Sequence, residues 1–315
     1  MAPTHGLYRE ASAEVFAVFR SFTPLVEGLS LDEAFLDVRG LRRHFDSSSE
    51  VGQKVRAEIR GNLGLPASVG VASSKFLAKL ASQEAKPDGL YHIPEDRQLE
   101  YLHGLPASAL WGVGPATLAG LERLGVETVG DIADLPESSL TRALGPTHGL
   151  HLHRLANAVD LRPVKPDSEA KSISVEETYE TDLSGRDLVE TALLAHAQRL
   201  SWRLHRAGLI ARTVTLKARY GDFTTITRSQ TLAEPIDGAR DLFRASLPLL
   251  AHLDPGRPVR LLGLGASSFE SADKPRQIGL DSSEEWKRVE DAIAAVRERF
   301  GEGAVSPARL LDEDA

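Results

Sequence analysis

The chain has 315 residues, a formal net charge of −8 and no cysteine. The length predicts about two to three domains, and the lack of cysteine excludes both a disulfide framework and a thiolate zinc site. No window approaches the roughly 20 apolar residues that a membrane-spanning helix needs. We therefore expect a cytoplasmic protein that has no membrane partner.

The negative net charge argues against a nucleic-acid partner only if it is spread evenly. Residues 267–315 contain 12 Asp or Glu and 7 Lys or Arg, a net charge of −5, which leaves −3 for the rest of the chain. The acidic surplus is therefore concentrated in the tail, and charge alone does not exclude a nucleic-acid partner for the remainder.

The first 94 residues alternate between helix and strand patterns. The apolar spacing predicts a helix over 8–22, a mostly apolar strand over 25–38, a helix from about Ser49 to Gly61, a short buried strand in "PASVGVASS" and a helix over 75–84. This αβαβα order is typical of α/β layers.

Short helices without a strand signal follow as far as Asp160, and the polar segment "LRPVKPDSEAKS" reads as an interdomain linker. The remaining elements are predicted over 173–179 (strand), 186–207 (helix), both sides of Gly221 (two strands), 238–252 (helix) and 259–264 (strand). This βαββαβ order predicts a small domain with a four-stranded sheet. The acidic tail ends in one amphipathic helix.

Asp32 and Glu33 are adjacent in the apolar run "GLSLDEAFLDV". Burying ionised carboxylates costs several kcal/mol unless they are paired or bind a metal, and oxygen ligands suit Mg²⁺ at a site of phosphoryl transfer. Neighbouring strand residues point to opposite faces, so a shared site requires the strand to bend or end there. In the alternative reading Glu33 caps a strand end and Asp32 pairs with a surface lysine.

A second candidate site lies in "LWGVGPATLAGLERLGVETVGDIADLP". Gly112, Val113 and Gly114 form a tight turn before a helix, where free N–H groups and the helix dipole favour a phosphate oxygen. The apolar residues that follow predict a second helix, so the segment resembles a helix-hairpin-helix that binds the DNA backbone without reading sequence. A helical hairpin whose glycines only allow close packing remains the alternative.

A third candidate site is the alternating segment "ARTVTLKARYGDFTTITRSQTL". Lys217 and Arg219 lie on its polar face with threonine hydroxyls, and the return strand adds Thr227 and Arg228. Such a face suits contacts with phosphates, although a solvated sheet face has the same pattern.

Four segments, in this order, resemble the Y-family translesion DNA polymerases, most closely the bacterial DNA polymerase IV group. They are "SLDEAFLDV", "SVGVASSKFLAKLASQEAKPDGL", the glycine-containing helical segment and "RTVTLKARYGDFTTITRS". The resemblance implies a DNA-directed DNA polymerase, a nucleotidyltransferase that acts in DNA repair and damage tolerance. Its implied fold is α+β and multidomain. The implied parts are a partial palm of α/β layers (1–94), a helix-hairpin-helix thumb (95–160), a linker (161–171), a little finger with the βαββαβ sheet (172–268) and the acidic tail (269–315).

The resemblance also implies roles for single residues. Asp32 and Glu33 match the paired catalytic acids that bind metal, in a site that holds two Mg²⁺ ions when complete. Lys86 matches the lysine that contacts the triphosphate of the incoming nucleotide. The glycine turn and the basic sheet face would contact primer-template DNA, and deoxynucleoside triphosphates would be the second substrate.

The tail segment "QIGL" is similar to the short motif by which this family docks on the sliding clamp. Gln277 and Leu280 would make that contact, although the usual aromatic partner is missing. We expect a monomer with the sliding clamp as a further partner.

One departure from the family concerns the N-terminal side. The family's first strand, which carries another metal-binding aspartate, and its fingers match no segment of this chain, so we expect an N-truncated form of the polymerase. The alternative hypothesis is a non-catalytic accessory protein that binds DNA and the sliding clamp. The presence of Asp32, Glu33 and Lys86 argues against it, because such a protein has no need of them.

Overall fold

A computed structural model of the chain describes residues 5–166, 170–272 and 283–311. The chain divides into two compact units, Met1–Ser168 and Glu169–Ala315. The division falls inside the segment that the sequence indicates as a linker. Within the described ranges, no helix is both long and apolar enough to cross a membrane.

The first unit begins with helices and short strands in alternation. These are α1 (His5–Phe22), β1 (Val26–Gly28), β2 (Ala34–Leu36), α2 (Ser48–Leu63), β3 (Val69–Val71), α3 (Lys75–Glu84) and β4 (Leu90–His92). β1 and β2 form an antiparallel hairpin, and β3 pairs with β4 in parallel. The helices predicted over 8–22 and 75–84 are confirmed.

The single strand predicted over 25–38 is wrong. The chain instead turns back between β1 and β2, and the backbone N–H of Leu29 donates to the carbonyl oxygen of Glu33 at 2.8 Å. Continuous apolar character cannot distinguish one long strand from two short strands joined by a turn.

Helix α2 packs against α1 through one apolar stripe. Its Val51, Val55 and Ile59 are buried, in a cluster with Val18 and Phe19 of α1. The helix begins after Ser47, whose hydroxyl accepts from the N–H of Glu50 at 3.1 Å, an arrangement that satisfies a free donor of the first turn.

Over residues 98–156 the chain forms five short α-helices. They are α4 (Gln98–His103), α5 (Pro115–Glu122), α6 (Val129–Asp134), α7 (Glu137–Leu144) and α8 (Pro146–Ala156). Phe76 and Leu77 of α3 share one buried cluster with Leu121 of α5 and Leu152 of α8. Helix α3 is therefore anchored to this helical group along its apolar side.

The second unit contains one antiparallel sheet with helices. Its elements are β5 (Ser172–Leu183), α9 (Arg186–Ala207), β6 (Leu209–Tyr220), β7 (Thr225–Ile236), α10 (Ala239–Leu250), β8 (Val259–Ser271) and α11 (Ser283–Phe300). The strand order is β5-β8-β6-β7. The predicted βαββαβ order and four-stranded sheet are confirmed.

Alternation along the strands gives this sheet two different faces. Val214, Leu216 and Ala218 of β6 are buried in one cluster with residues of α9 and α10. The intervening residues of β6 point to the other face and are only partly buried. That second face is called the open face below.

Candidate active site and nucleic-acid interface

Asp32 and Glu33 lie in the turn of the β1–β2 hairpin. Ser30 organises this turn: its Oγ accepts from the N–H of Glu33 at 3.1 Å and donates to Oδ1 of Asp32 at 2.6 Å. Asp32 is exposed and Glu33 is partly exposed. The prediction that these acids stand in a buried strand is therefore wrong, because the turn brings both to the surface.

Glu33 is paired with a lysine of α3. Nζ of Lys79 lies 3.0 Å from each carboxylate oxygen of Glu33. Lys75 stands four residues earlier on α3 and hence on the same side of the helix. The hairpin acids and this side of α3 therefore face each other.

The least exposed acid of the hairpin is Glu27, with a side chain that is 19% exposed, and the sequence reading did not single it out. Nζ of Lys75 lies 2.9 and 2.8 Å from its two carboxylate oxygens, and the N–H of Lys165 donates to it at 2.8 Å. Burial acts to raise the pKa of Glu27, but the hydrogen bonds from Lys75 and Lys165 outweigh it and hold the pKa below its ordinary value. One signal was available: Glu27 interrupts an apolar run.

The donor set of the turn fits Mg²⁺. This ion keeps several waters and is commonly bound by one or two carboxylates together with substrate phosphates. Asp32 and Glu33 provide two adjacent carboxylates that solvent can reach. In the part of the chain that the structure describes, no group of three or more His, Asp or Glu is placed to hold a metal. Asp32 and Glu33 would therefore supply only some of the ligands of a metal site.

Lys86 lies two residues after the end of α3, and its side chain is exposed. The segment around it is fixed by Asp88, which pairs with Arg56 and Arg60 of α2 and accepts from the N–H of Ala67 at 3.3 Å. These contacts hold the backbone two residues after Lys86, and the contact of Lys86 with a triphosphate stays a prediction.

The predicted glycine turn precedes a helix. Gly112 has a φ of 101°, a conformation that favours glycine, and Gly114 is the N-cap of α5. Helix α6 follows after a short connection and begins with a capping box formed by Thr128 and Asp131. The two predicted helices are present, and binding of the DNA backbone at the turn stays a prediction.

The open face of the sheet brings Lys217, Arg219 and Thr227 together. Lys217 pairs directly with Thr227 across the β6–β7 ladder, and directly opposite residues point to the same face. Nζ of Lys217 lies 2.7 Å from Oε2 of Glu176 on β5, and Nε of Arg219 donates to the hydroxyl of Thr225 at 2.9 Å.

The assignment of Arg228 to this same face is wrong. Arg228 pairs across the ladder with Leu216, a residue of the face that α9 and α10 cover. The next residue of the same parity, Gln230, donates to the carbonyl oxygen of Ala245 in α10. Thr227 and Arg228 are adjacent in β7 and must point to opposite faces.

Gln277 and Leu280, the predicted clamp-binding residues, lie outside the described residues. Docking on a sliding clamp therefore stays a prediction of the sequence.

Family models match both parts of the chain. The model of the impB/mucB/samB family matches residues 1–83, and that of the impB/mucB/samB family C-terminal domain matches residues 170–280. The first match contains the hairpin acids and most of α3, and the second contains the whole four-stranded sheet.

Several bacterial proteins called DNA polymerase IV are similar to this chain. That of Desulfatibacillum aliphaticivorans is 37% identical over 313 residues, which cover 98% of this chain and 79% of the relative. That of Streptomyces coelicolor is 45% identical over 271 residues, 85% of this chain and 57% of the relative. That of Halorhodospira halophila is 41% identical over 279 residues, which cover 88% of this chain and 78% of the relative.

The fold is also similar to a solved structure, the Y-family DNA polymerase chimera Dbh-Dpo4(243-245)-Dbh. The TM-score is 0.75 at 23% sequence identity, and the match covers 84% of this chain and 76% of the chimera. Together, the family models, the relatives and the fold place this chain in the impB/mucB/samB family, among the Y-family DNA polymerases of the DNA polymerase IV group.

Proposed function

We propose that this protein is a DNA-directed DNA polymerase of the translesion type, which adds deoxynucleotides to a primer 3′ end during DNA repair and damage tolerance. The observation that carries the proposal is the β1–β2 turn, which presents Asp32 and Glu33 side by side at the surface. Paired carboxylates at a solvent-accessible point are what a magnesium-dependent nucleotidyl transfer requires. The relatives called DNA polymerase IV support the same activity.

In this proposal each candidate residue has one task. Asp32 and Glu33 hold Mg²⁺, and Ser30 keeps the Asp32 carboxylate oriented through its 2.6 Å hydrogen bond. A complete site would hold two Mg²⁺ ions, which would supply positive charge to the attacking and leaving oxygens. Lys86 contributes positive charge to the triphosphate of the incoming nucleotide.

DNA binding is assigned to both units. The turn over Gly112, Val113 and Gly114 contacts the duplex backbone, and Lys217, Arg219 and Thr227 contact phosphates from the open face. In the family's terms, the parts of the chain are a partial palm over 1–94, a helix-hairpin-helix thumb over 95–160, a linker over 161–171 and a little finger over 172–268. Such contacts are made to the backbone, so binding is strong at low salt and nearly independent of sequence.

The remaining parts of the proposal concern partners. Primer-template DNA and deoxynucleoside triphosphates are the substrates, and the protein acts as a monomer. The segment with Gln277 and Leu280 docks on the sliding clamp. The motif in the sequence supports that contact, and the described residues do not bear on it.

Primer extension by the native protein tests the proposal. A primed template, undamaged or carrying one abasic site, is incubated with deoxynucleoside triphosphates and Mg²⁺, and DNA binding is measured in parallel. We expect extension on both templates that stops when the metal is chelated. DNA binding without any extension would overturn the proposal in favour of a non-catalytic DNA- and clamp-binding accessory protein.

A further inference from the structure

Lys79 contacts two features of the first unit that the proposed function treats separately. Its Nζ lies 3.0 Å from both carboxylate oxygens of Glu33. The same Nζ lies 5.9 Å from the ring centroid of Trp111, the residue that directly precedes the turn at Gly112. A single ammonium group thus joins a proposed metal ligand to the proposed DNA-binding turn.

The ion pair uses both oxygens of Glu33, and this has a consequence for metal binding. A divalent cation coordinated by Glu33 would approach an ammonium group that already contacts both oxygens, so the two cations repel each other and compete for the carboxylate. Asp32 differs, since its hydrogen-bond partner is the neutral hydroxyl of Ser30. The competition is therefore specific to Glu33.

The exposure of the Lys79–Glu33 ion pair indicates that a divalent cation can replace Lys79 at Glu33. The side chain of Glu33 is 41% exposed and that of Lys79 is 29% exposed, so water screens the attraction and the pair is weak. The neighbouring pair of Lys75 with Glu27 is less exposed, at 11% and 19%. Of the two lysine–glutamate pairs on this side of α3, the one at the proposed metal ligand is thus the more readily broken.

Trp111 provides the contact that Lys79 keeps when it leaves Glu33, because Nζ already lies 5.9 Å from the ring centroid. Its ring already has Arg162 at 5.3 Å and Phe35 at 6.2 Å from the centroid, and it is 39% exposed. An ammonium group gains from the face of an indole ring even without a carboxylate partner. A released Lys79 therefore has a favourable contact within reach of the same side chain.

We propose that Lys79 is a built-in counterion of Glu33, which competes with the divalent cation and moves its ammonium group from Glu33 onto Trp111 when the cation binds. Lys79 is in this sense a positioning residue, since it acts through Glu33 and Trp111. The inference rests on the proposed metal role of Glu33 and deepens it. It links metal binding to the turn that begins at Gly112.

Mn²⁺ binding tests the competition without any need for polymerase activity. The 315-residue chain is titrated with Mn²⁺ alone, and free Mn²⁺ is counted by electron paramagnetic resonance. We expect Lys79→Ala to lower the Kd by about fivefold, the range of a weak ion pair. Lys79→Arg keeps the charge and should bind like the wild type.

Lys54→Ala is the matched control. Lys54 is an exposed lysine of the same unit whose Nζ lies 5.4 Å from the ring centroid of Phe45. The substitution thus removes one positive charge and one lysine–aromatic contact. We expect its Kd for Mn²⁺ to stay within about twofold of the wild type, since no hairpin acid loses its partner.

Trp111 fluorescence tests the movement itself. The chain has three tryptophans, so Trp202→Phe with Trp286→Phe leaves Trp111 as the emitter. We expect a saturable change of emission on titration with Mg²⁺, which is absent when Lys79→Ala is added although Mg²⁺ still binds. A lysine that only stabilises the fold would not connect the two signals.

The outcomes separate this inference from the role on which it rests. An equal or higher Kd for Mn²⁺ in Lys79→Ala, or a Trp111 signal that survives in that variant, overturns the counterion role while Asp32 and Glu33 remain metal ligands. Absence of saturable Mn²⁺ binding in the wild type, with Asp32→Ala as the reference, overturns both. The polymerase activity is judged independently by primer extension.

Discussion

Arg228 stands directly opposite Leu216 in the β6–β7 ladder, while its neighbour Thr227 stands opposite Lys217. The basic residues that look continuous along the sequence are therefore divided between two faces of one sheet. Lys217 and Arg219 lie on the open face, whereas Arg228 lies on the opposite face, which α9 and α10 cover.

This division predicts different effects on DNA binding. The double substitution Lys217→Ala with Arg219→Ala should weaken duplex binding on all sequences alike and lower the salt slope of binding by about two, because each lost phosphate contact removes about 0.9. Fluorescence anisotropy at several salt concentrations measures the slope. Arg228→Ala is the control and should leave it unchanged; the reverse result would contradict the assignment of the open face.

Lys75 should matter more for stability than Lys79. Lys75→Met leaves Glu27, whose side chain is 19% exposed, without its ion-pair partner and should lower the free energy of unfolding by about 2 kcal/mol. Lys79→Met breaks a more exposed pair and should cost at most about 1 kcal/mol. Urea denaturation measures both values. Equal costs for the two substitutions would show that burial of Glu27 does not decide the difference.

The pH dependence of Glu27 follows from the direction of its shift. Its pKa is lowered in the folded state, so its stabilising contribution is complete above the ordinary value near 4.5 and is lost as pH falls through the lowered pKa. The wild type should therefore lose stability in this acidic window. The difference in unfolding free energy between wild type and Lys75→Met should shrink there; a difference that is constant with pH would count against the pair.

His196 gives a second, separate pH effect. It is fully buried in the second unit, its Nε2 lies 3.0 Å from the carbonyl oxygen of Leu262, and Arg199 donates to its Nδ1 at 2.9 Å. Burial, together with the positive charge of Arg199, lowers the pKa of His196 to about 4. In an unfolded chain histidine titrates near pH 6.5, so between about pH 4 and 6.5 only the unfolded state binds the proton.

Stability should therefore rise with pH across that window, by up to about 3 kcal/mol from His196. His196→Gln removes the titrating group, and its unfolding free energy should depend less on pH between 4 and 6.5 than that of the wild type. His252→Gln, at an exposed position, is the control and should keep the wild-type slope. Identical slopes in His196→Gln and wild type would refute the lowered pKa.

Two glycines at the C-terminal end of α2, one inside the helix and one capping it, should respond in opposite directions to alanine. Gly61 was predicted to end the helix but lies inside it, with no atom within 4 Å of an added Cβ. Gly61→Ala should stabilise the protein by about 0.5–1 kcal/mol. Gly64, the actual C-cap with a φ of 67°, should lose about 1 kcal/mol as alanine. Thermal unfolding followed by circular dichroism compares the two.

The regular elements could be predicted from local patterns because their signals are local. The 3.6-residue spacing of apolar residues, with serine and glycine at the ends, was sufficient for the helices over 75–84 and 186–207. The β6–β7 hairpin followed from alternation on both sides of Gly221. The length of β8, which runs to Ser271 rather than to 264, depends on pairing with β5 and β6.

The site was only partly predictable because some of its contacts join residues that are distant in the chain. Asp32 and Glu33 could be found because adjacent acids in an apolar run are costly, but the turn that exposes them depends on the hydroxyl of Ser30. Lys79 and Glu33 are 46 residues apart in the chain, and no local pattern pairs them. The sheet face of Arg228 could be predicted from the strict alternation of side chains along a strand. Grouping the basic residues by charge alone overlooked this alternation.

The most direct test of the central claim is primer extension by the native protein with Asp32→Ala beside Asp37→Ala. Asp37 belongs to the same segment, but its carboxylate is only 9% exposed and pairs with Arg39, so it serves as a control for loss of a nearby acid. We predict that Asp32→Ala lowers the extension rate at least about a hundredfold, because a metal ligand of the transferring site is lost, with DNA affinity unchanged. Asp37→Ala should remain within a few-fold of the wild type. Wild-type rates in Asp32→Ala would contradict the account.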